Sequence, residues 1–166
     1  MSTTDREAPV TWLSQDAYDR LKGELDEHIA KRPEIAAEIN ERREEGDLRE
    51  NGGYHAAREE QSKMEGRILY LQELLRTARV GEAPSSSVVA PGMVVTIQFD
   101  GDPNDTEKFL LGSREIAATT DLTVYSPESA LGKAILGHSG GDTVSYTAPS
   151  GADITVKVVD FAPYQG

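Results

Sequence analysis

Apolar side chains in the first half of the chain recur at steps of three and four residues, which is the spacing of one face of a helix. Ser14 is suited to cap the first helix, with Leu13 and Tyr18 at the two positions of a hydrophobic staple. The pattern predicts two long helices, and Gly81 is placed to end the second. Their seams consist of Tyr18, Leu21, Leu25, His28, Arg32, Ile35, Ile39 and Arg42, and of Tyr54, Ala57, Gln61, Met64, Ile68, Leu71, Leu75 and Ala78.

The two seams match each other in antiparallel register about a fold point near residue 48. Ile39 then faces Ala57, and Leu25 faces Leu71. This symmetry favours an antiparallel coiled-coil hairpin over two helices that associate with another chain. Because such a hairpin satisfies its own seam, we expect a monomer. Pro33 removes a backbone donor and predicts a kink or a short break in the first helix.

The second half of the chain alternates apolar and polar residues, which is the period of a half-buried strand. The alternation is clearest at residues 95–99 and 154–158, and shorter candidates are 108–111, 122–125 and 143–147. Ser126 and Pro127 are typical of the cap and first turn of a brief helix that ends near Gly137. We therefore expect an α+β protein, with a helical hairpin followed by a compact β-rich domain.

The charge distribution divides the chain at the same place. Residues 1–82 carry 19 of the 29 acidic and 13 of the 17 basic side chains, and a Gly-, Pro- and Ser-containing stretch follows them. The predicted domains are a hairpin over 1–82, a linker over 83–90 and a C-terminal domain over 91–166. The net charge of −12 disfavours a direct grip on phosphates, so any nucleic acid is expected to be reached through a partner.

Composition excludes several kinds of chemistry. The chain has no cysteine, and its three histidines are scattered, which argues against disulfides, thiol nucleophiles and a closed transition-metal site. The N-terminus lacks the apolar core of a signal peptide, and we find no apolar stretch of about 18 residues. We expect a soluble, cytoplasmic protein with no membrane partner.

Two carboxylates, Asp47 and Glu50, stand in the predicted tip of the hairpin, near residues 44–51. In one interpretation Gly46 stops the first helix, Asp47 caps the second and Glu50 completes a capping box. In the other, the pair ligates a hard cation. Mg²⁺ requires six oxygens, so two exposed carboxylates form at most half a site. A partner could supply the other half, as in two-metal phosphodiester hydrolysis.

Residues 43–59, REEGDLRENGGYHAARE, resemble the tip signature of the Gre transcript cleavage factors of bacterial RNA polymerase. Residues 32–35, RPEI, match a proline-containing run of that family, and residues 125–132, YSPESALG, resemble its C-terminal signature. The resemblance thus covers nearly the whole chain. Two departures are Gly52-Gly53, where the family often has Ala-Glu, and the additional acidic pair Glu44-Glu45.

The resemblance implies a factor that is not itself an enzyme. The hairpin would enter the secondary channel of RNA polymerase, where Asp47 and Glu50 help to bind a shared Mg²⁺ and to position the attacking water. The polymerase would then cut its own backtracked RNA at the 3′ end. The resemblance also implies an FKBP-like C-terminal domain that docks on the polymerase, for which Ser126 and Pro127 are candidate contacts.

Further candidates for contact with RNA or polymerase crowd the same end of the hairpin: Arg42, Arg43, Arg49, Asn51, Tyr54 and Arg58. The arginines could instead pair with neighbouring glutamates, which are Glu44, Glu45, Glu59 and Glu60, on a solvated helix surface. Two other functions stay open. One is a regulator that occupies the channel without promoting cleavage, and the other is an FKBP-like chaperone. The second half contains no tryptophan and few aromatics, which disfavours the chaperone.

Overall fold

The computed structural model describes residues 11–46, 51–83 and 85–165. Two long helices are followed by a mixed sheet, so the predicted α+β fold class is confirmed. By packing, Asp19–Thr77 forms one compact unit, and the described residues on both sides of it form the other. We call these the hairpin unit and the sheet unit. The domain limits predicted from the charge distribution stay a prediction.

The two long helices are α1, Gln15–Glu44, and α2, Gly52–Thr77. Side chains from both helices form one apolar core, against which Leu25 and Tyr54 also pack. Its buried members are Ile35, Ile39, Ala57, Met64 and Ile68. Because the core joins the end of α1 to the beginning of α2, the antiparallel hairpin predicted from the seams is confirmed.

The structure decides two details of the seam. α1 runs through Pro33 without a break, and the alternative of a kink there stays a prediction. Ile35 and Ile39 beyond it are 6% and 4% exposed, so packing maintains the helix despite the missing donor. On α2, Leu74 is buried, whereas the predicted seam residue Leu75 is only half-buried. A helix of 3.6 residues per turn drifts away from a strict heptad repeat, which explains why Leu74 is buried in place of Leu75.

At the outer ends of the helices, the predicted cap at Ser14 is confirmed, and the predicted end of the second helix at Gly81 is wrong. The Ser14 hydroxyl accepts the Ala17 N–H at 3.2 Å, so Ser14 caps α1 as predicted. α2 ends at Thr77, and Gly81 does not end it. The strand β2, Arg79–Val80, follows and pairs in parallel with β1, Trp12–Leu13. Backbone groups after Thr77 therefore bond to a strand instead of continuing the helix.

The five-stranded sheet has the order β5-β4-β3-β7-β6. Strands β4 and β5 are parallel, and the other neighbours are antiparallel. A 3-10 helix over Arg114–Thr119 and the helix α3, Ala130–Ile135, lie between strands in the chain. The strands are β3, Met93–Phe99; β4, Thr106–Leu111; β5, Thr123–Tyr125; β6, Thr143–Thr147; and β7, Asp153–Pro163. Four of the five predicted strand segments thus fall wholly on strands, and the fifth, 122–125, begins one residue before β5.

Strand β7 continues beyond the predicted segment 154–158, because a bulge interrupts the alternation of apolar and polar residues from which its end was predicted. Thr96 pairs with Asp160 and Ile97 with Val158, so Val159 is an extra residue on β7. Val159 is 45% exposed, whereas Val158 is fully buried. A bulge changes which face the following residues occupy. Phe161 therefore packs against the same core as Val158.

Trp12 belongs to the sheet unit although it precedes the hairpin in the chain. It is 6% exposed, and its ring lies edge-on to Tyr164 at 6.1 Å between centroids. Gly92, at a φ of 95°, approaches the indole so closely that a Cβ there would lie 3.0 Å from Trp12 Cδ2. The folded sheet unit therefore contains a tryptophan that the second half of the sequence lacks, because parallel pairing with β2 brings β1 into it.

Within the described ranges, no helix is both long enough and apolar enough to cross a membrane.

Candidate functional site

The candidate site lies where α1 ends at Glu44 and α2 begins at Gly52. Asp47 and Glu50, with Arg49 between them, lie outside the described residues. Gly46 follows the end of α1 with a φ of 147°, a backbone conformation that favours glycine. The structure thus describes both borders of the predicted tip.

Asn51 caps α2. Its side-chain carbonyl accepts the Tyr54 N–H at 3.0 Å, and its backbone carbonyl accepts the His55 N–H at 3.1 Å. These are the two bonds of an N-cap residue. The structure therefore assigns the cap of α2 to Asn51, whereas Asp47 and Glu50, which the sequence suggested as its capping box, lie outside the described residues. The sequence contains several possible caps in one stretch, and spacing alone did not select among them.

Asn51 also bonds to the other helix. Its amide nitrogen donates to the Arg42 carbonyl at 2.5 Å, and that carbonyl also accepts the Glu45 N–H at 3.3 Å. Asn51 is half-buried between the two helix ends. One side chain thus connects the last turn of α1 to the first turn of α2. Asn51 was predicted from the sequence as a contact to RNA or polymerase, and this connection between the helices was not predicted.

Charged pairs occupy part of the surface around the tip. Arg42 Nη1 lies 3.4 Å from Glu45 Oε2, which agrees with the surface-pairing alternative. Arg58 Nη1 instead donates to Gln61 Oε1 at 3.2 Å. Pairs as exposed as these contribute little to stability. Their guanidinium groups can therefore exchange partners at small cost.

The other candidate contacts differ in exposure. Arg43 is exposed in the last turn of α1. Tyr54 is half-buried and packs against the hairpin core, and its ring lies 5.5 Å from the ring of His55. Burial gives Tyr54 a packing role in addition to its predicted contact.

Gly52 and Gly53 have different surroundings although they are adjacent. A Cβ at Gly53 would lie 3.2 Å from Arg42 Cδ, whereas a Cβ at Gly52 would meet no atom within 4 Å. Gly53 therefore makes room for the Arg42 side chain beside Asn51. A larger residue at 53 would require that flexible side chain to move by a few tenths of an ångström.

The borders of the tip do not supply a metal site of their own. In residues 11–46, 51–83 and 85–165, no group of three or more histidine or carboxylate side chains could hold a metal ion. Asp47 and Glu50 have the oxygen ligands that Mg²⁺ prefers, but two carboxylates fall short of its six positions. Binding of an ion that is shared with another molecule stays a prediction.

Charged residues also join the two helices farther from the tip. Arg67 donates to both carboxylate oxygens of Glu24 at 2.6 and 3.0 Å, and His28 Nε2 lies 3.1 Å from Glu24 Oε2. The Arg67 hydrogen bonds are the main cause that lowers the pKa of Glu24 from 4.5 to about 2. Arg32 forms a similar two-bond pair with Glu65 at 2.9 and 2.8 Å. The seam positions His28 and Arg32, which interrupt the apolar pattern, therefore both contact carboxylates, and Arg32 forms an ion pair with Glu65.

The candidate docking residues Ser126 and Pro127 lie in a turn before α3. Ser129, not Ser126, caps α3, since its hydroxyl accepts the Gly132 N–H at 3.0 Å. The Ser126 hydroxyl accepts the Glu128 N–H at 3.0 Å, and its backbone carbonyl accepts the Ser129 hydroxyl at 2.6 Å. The predicted cap is thus shifted by one turn, because Ser126 forms the turn that leads into the helix. The docking role of Ser126 and Pro127 stays a prediction.

Comparison with known proteins agrees with this architecture. A family model described as "Transcription elongation factor, N-terminal" matches residues 11–80, and one described as "Transcription elongation factor, GreA/GreB, C-term" matches residues 84–163. The two matches, in this order, define the class of transcription elongation factors.

Individual relatives are similar over nearly their whole length. The chain is 58% identical to transcription elongation factor GreA of Saccharopolyspora erythraea, over 96% of this chain and 99% of the relative. It is 60% identical to GreA of Mycolicibacterium smegmatis, over 95% and 97%. A solved structure of GreA factor homolog 1 of Thermus thermophilus is 27% identical over 93% and 99%, with a TM-score of 0.42. The chain belongs to the GreA/GreB family of transcription elongation factors, and the resemblance seen in the sequence is confirmed.

Proposed function

We propose that this protein rescues backtracked or arrested bacterial RNA polymerase. The hairpin tip enters the secondary channel of the polymerase and stimulates the polymerase's own Mg²⁺-dependent cleavage of the RNA 3′ end. One observation carries the proposal: a hairpin with its own core places the Gly-Asp-Leu-Arg-Glu-Asn motif, residues 46–51, between the ends of its two helices. Membership of the elongation factor family supports RNA polymerase as the partner.

The dimensions of the hairpin suit a narrow entrance. At about 1.5 Å per residue, the 30 residues of α1 extend about 45 Å. Two helices side by side, each about 10 Å across, form a rod that a channel can admit. Pairs between the helices, such as Arg67 with Glu24, hold this rod together without a second chain. The hairpin can therefore carry its tip into the partner as one element.

The chemistry depends on carboxylates that complete a site in the partner. Asp47 and Glu50 would hold Mg²⁺ jointly with the polymerase. The ion, when bound, neutralises charge on the phosphodiester and lowers the pKa of a coordinated water. Asp47 and Glu50 would orient the attacking water toward the scissile bond. Because this chain supplies only part of the donor set, it is expected to have little hydrolytic activity alone. The sheet unit docks on the polymerase surface, with Ser126 and Pro127 as contacts.

A cleavage assay tests the proposal. A polymerase complex is backtracked on labelled RNA, the protein is added with Mg²⁺, and short 3′ fragments are measured over time. We expect the double variant Asp47→Ala with Glu50→Ala to lose roughly 100-fold or more in rate, since it removes preorganised charge from the reacting centre. Glu44→Gln with Glu45→Gln is the matched control, because it removes two neighbouring acidic charges and leaves the pair intact. This control is expected to retain most of the activity.

A competition assay for polymerase binding distinguishes the other functions. Binding by the wild-type protein without release of fragments would support a regulator that occupies the channel. Failure to bind polymerase at all would reject both polymerase functions and favour the chaperone. Equal cleavage by the wild-type protein and the Asp47 and Glu50 double variant would reject the proposed role of the two carboxylates.

A further inference from the structure

We propose that Asn51 is a positioning residue, which ties the end of α1 to the beginning of α2 and thereby fixes the two borders of the tip. The first part of this proposal concerns the folded hairpin alone. Its consequence for RNA cleavage rests on the function proposed above.

The bonding of the Asn51 side chain is directed inward. An asparagine amide offers one carbonyl oxygen and one NH₂ group. The oxygen accepts the Tyr54 N–H at 3.0 Å, and the nitrogen donates to the Arg42 carbonyl at 2.5 Å. Both functional groups thus bond to the hairpin itself, and the residue is half-buried. A residue used in this way is better suited to hold the tip than to contact another molecule.

The two hydrogen bonds of Asn51 pair backbone groups that lie at the ends of the two helices. The first N–H groups and the last carbonyls of a helix lack partners within it. Asn51 supplies an acceptor to the first turn of α2 and a donor to the last turn of α1. Aspartate could provide the first bond but has no donor for the second. The need for both an acceptor and a donor in one side chain therefore explains why asparagine occupies this position.

Gly53 completes the arrangement. A Cβ at this position would lie 3.4 Å from Arg42 Nε and 3.5 Å from Asn51 Oδ1. The missing side chain allows Arg42 to lie beside the cap of α2. Backbone and side chain of Arg42 are thus both adjacent to residues at the start of α2, and the two helix ends are held in a defined register.

The consequence follows from the position of the link. Asn51 bonds to Arg42 across nine residues of sequence, so it closes the segment that carries Asp47 and Glu50. In reactions that need defined geometry, misplacement by about 1 Å can reduce the rate by about 100-fold. Loss of the link is therefore expected to reduce the maximal cleavage rate, whereas affinity for polymerase, which involves the whole protein, should change little.

Three variants separate the link from the cap. Asn51→Asp retains the acceptor for α2 and removes the donor to Arg42, and Asn51→Ser likewise retains a capping oxygen. Asn51→Ala removes both bonds. We expect Asn51→Asp and Asn51→Ser to keep the helix content of the wild-type protein, while Asn51→Ala also lowers the midpoint of thermal unfolding. Gly52→Ala is the control, because it alters the adjacent position without touching either bond.

A distance measurement tests the link without polymerase. The chain has no cysteine, so Glu41→Cys and Ala56→Cys place two spin labels uniquely at exposed positions of α1 and α2. We expect a narrow distance distribution in the wild-type background and with Gly52→Ala, and a broader one with Asn51→Asp or Asn51→Ser. An unchanged distribution in both Asn51 variants would overturn the proposal.

Cleavage assays at varied factor concentration test the consequence. We expect Asn51→Asp to lower the maximal rate roughly 10-fold or more, with a half-saturating concentration within about twofold of wild type. A large rise in that concentration with a narrow distance distribution would instead identify Asn51 as a direct contact and overturn the proposal. If the distribution broadens but the wild-type protein does not cleave RNA, the positioning role stands and the proposed function fails.

Discussion

Among the described residues, the core of the sheet unit contains ten buried apolar side chains, whereas the core of the hairpin unit contains five. Charged pairs also join the two helices of the hairpin, Arg67 with Glu24 and Arg32 with Glu65. Two helices face each other along a single seam, so each residue buries little apolar area. We therefore expect the stability of the hairpin unit to depend on pH, and that of the sheet unit to depend on the volume of the side chains packed inside it.

The largest change in the free energy of unfolding is expected when a single methyl group is added to a tightly packed glycine of the sheet unit. A Cβ at Gly132 would lie 2.1 Å from the Ser126 carbonyl oxygen and 3.0 Å from Pro127 Cα, both of which are backbone atoms. Because backbone cannot yield as a flexible side chain can, Gly132→Ala should cost about 3 kcal/mol or more in the free energy of unfolding. Urea titration followed by tyrosine fluorescence and circular dichroism measures this loss.

Gly140→Ala provides the control for this prediction. The nearest atoms to a Cβ at Gly140, Phe161 Cε1 and the Val159 carbonyl oxygen, are both 4.0 Å away. We expect this substitution to change the free energy of unfolding by less than about 0.5 kcal/mol. A similar loss from both substitutions would contradict the role of the close contact between Gly132 and Ser126.

An intermediate effect is expected at the less exposed charged pair of the hairpin. Glu24 and Arg67 side chains are 27% and 33% exposed, and the pKa of Glu24 is lowered to about 2. A shift from 4.5 to about 2 sets an upper limit of about 3 kcal/mol, which partial exposure reduces to about 1 kcal/mol. Glu24→Gln should lower the free energy of unfolding by that amount at neutral pH.

The pH dependence gives this prediction its sign. Because the pKa of Glu24 is lower in the folded protein, its contribution is complete above the ordinary pKa of 4.5 and is lost as the pH falls toward 2. The difference in stability between the wild-type protein and Glu24→Gln should therefore shrink between about pH 5 and about pH 2. Helix circular dichroism across this range measures it, and a difference that stays constant would exclude the ionised carboxylate as its source.

These predictions use features that the sequence revealed unequally. The spacing of Leu25, Ile39, Ile68 and Leu71 was sufficient to predict the hairpin, because a repeat over many turns averages out local exceptions. The strand β1 was missed, since two residues are too few to show a period. Trp12, the first residue of β1, was consequently left out of the sheet unit.

Caps and charged pairs were harder to predict than the elements they join. Several residues at the tip and before α3 can act as caps, and only the structure selects Asn51 and Ser129. Arg32 looked like a defect of an apolar seam because its partner, Glu65, lies on the other helix, whereas the partner of His28, Glu24, lies one turn earlier on the same helix. The family signature identified Asp47 and Glu50, whereas spacing alone favoured a cap. Candidate chemistry thus came from the resemblance, and the physical pattern supplied the rod that carries it.

A smaller effect, of opposite sign, is expected at Gly52. A Cβ at this position would meet no atom within 4 Å, and the residue lies at the beginning of α2. Gly52→Ala should raise the free energy of unfolding by about 0.5 kcal/mol, because alanine loses less conformational entropy in a helix. Gly53→Ala is the comparison, where contact with Arg42 Cδ at 3.2 Å should cancel part of the gain. Thermal unfolding of the two variants measures the difference, and a greater gain at Gly53 would contradict this contact.

The smallest effect is expected at the second interhelical pair, where Arg32 and Glu65 are 43% and 42% exposed. Its two hydrogen bonds have nearly the same geometry as those of Arg67 with Glu24, and hydrogen bonding to Arg32 also lowers the pKa of Glu65. The pairs therefore differ mainly in exposure to water. Glu65→Gln should shift the thermal midpoint less than Glu24→Gln at about 0.1 M salt, and the shift should vanish at about 1 M. If both substitutions cost the same at both salt concentrations, hydrogen-bond geometry rather than burial would determine the strength of these pairs, and the stability of the hairpin would no longer depend on charge in the way inferred from its small core.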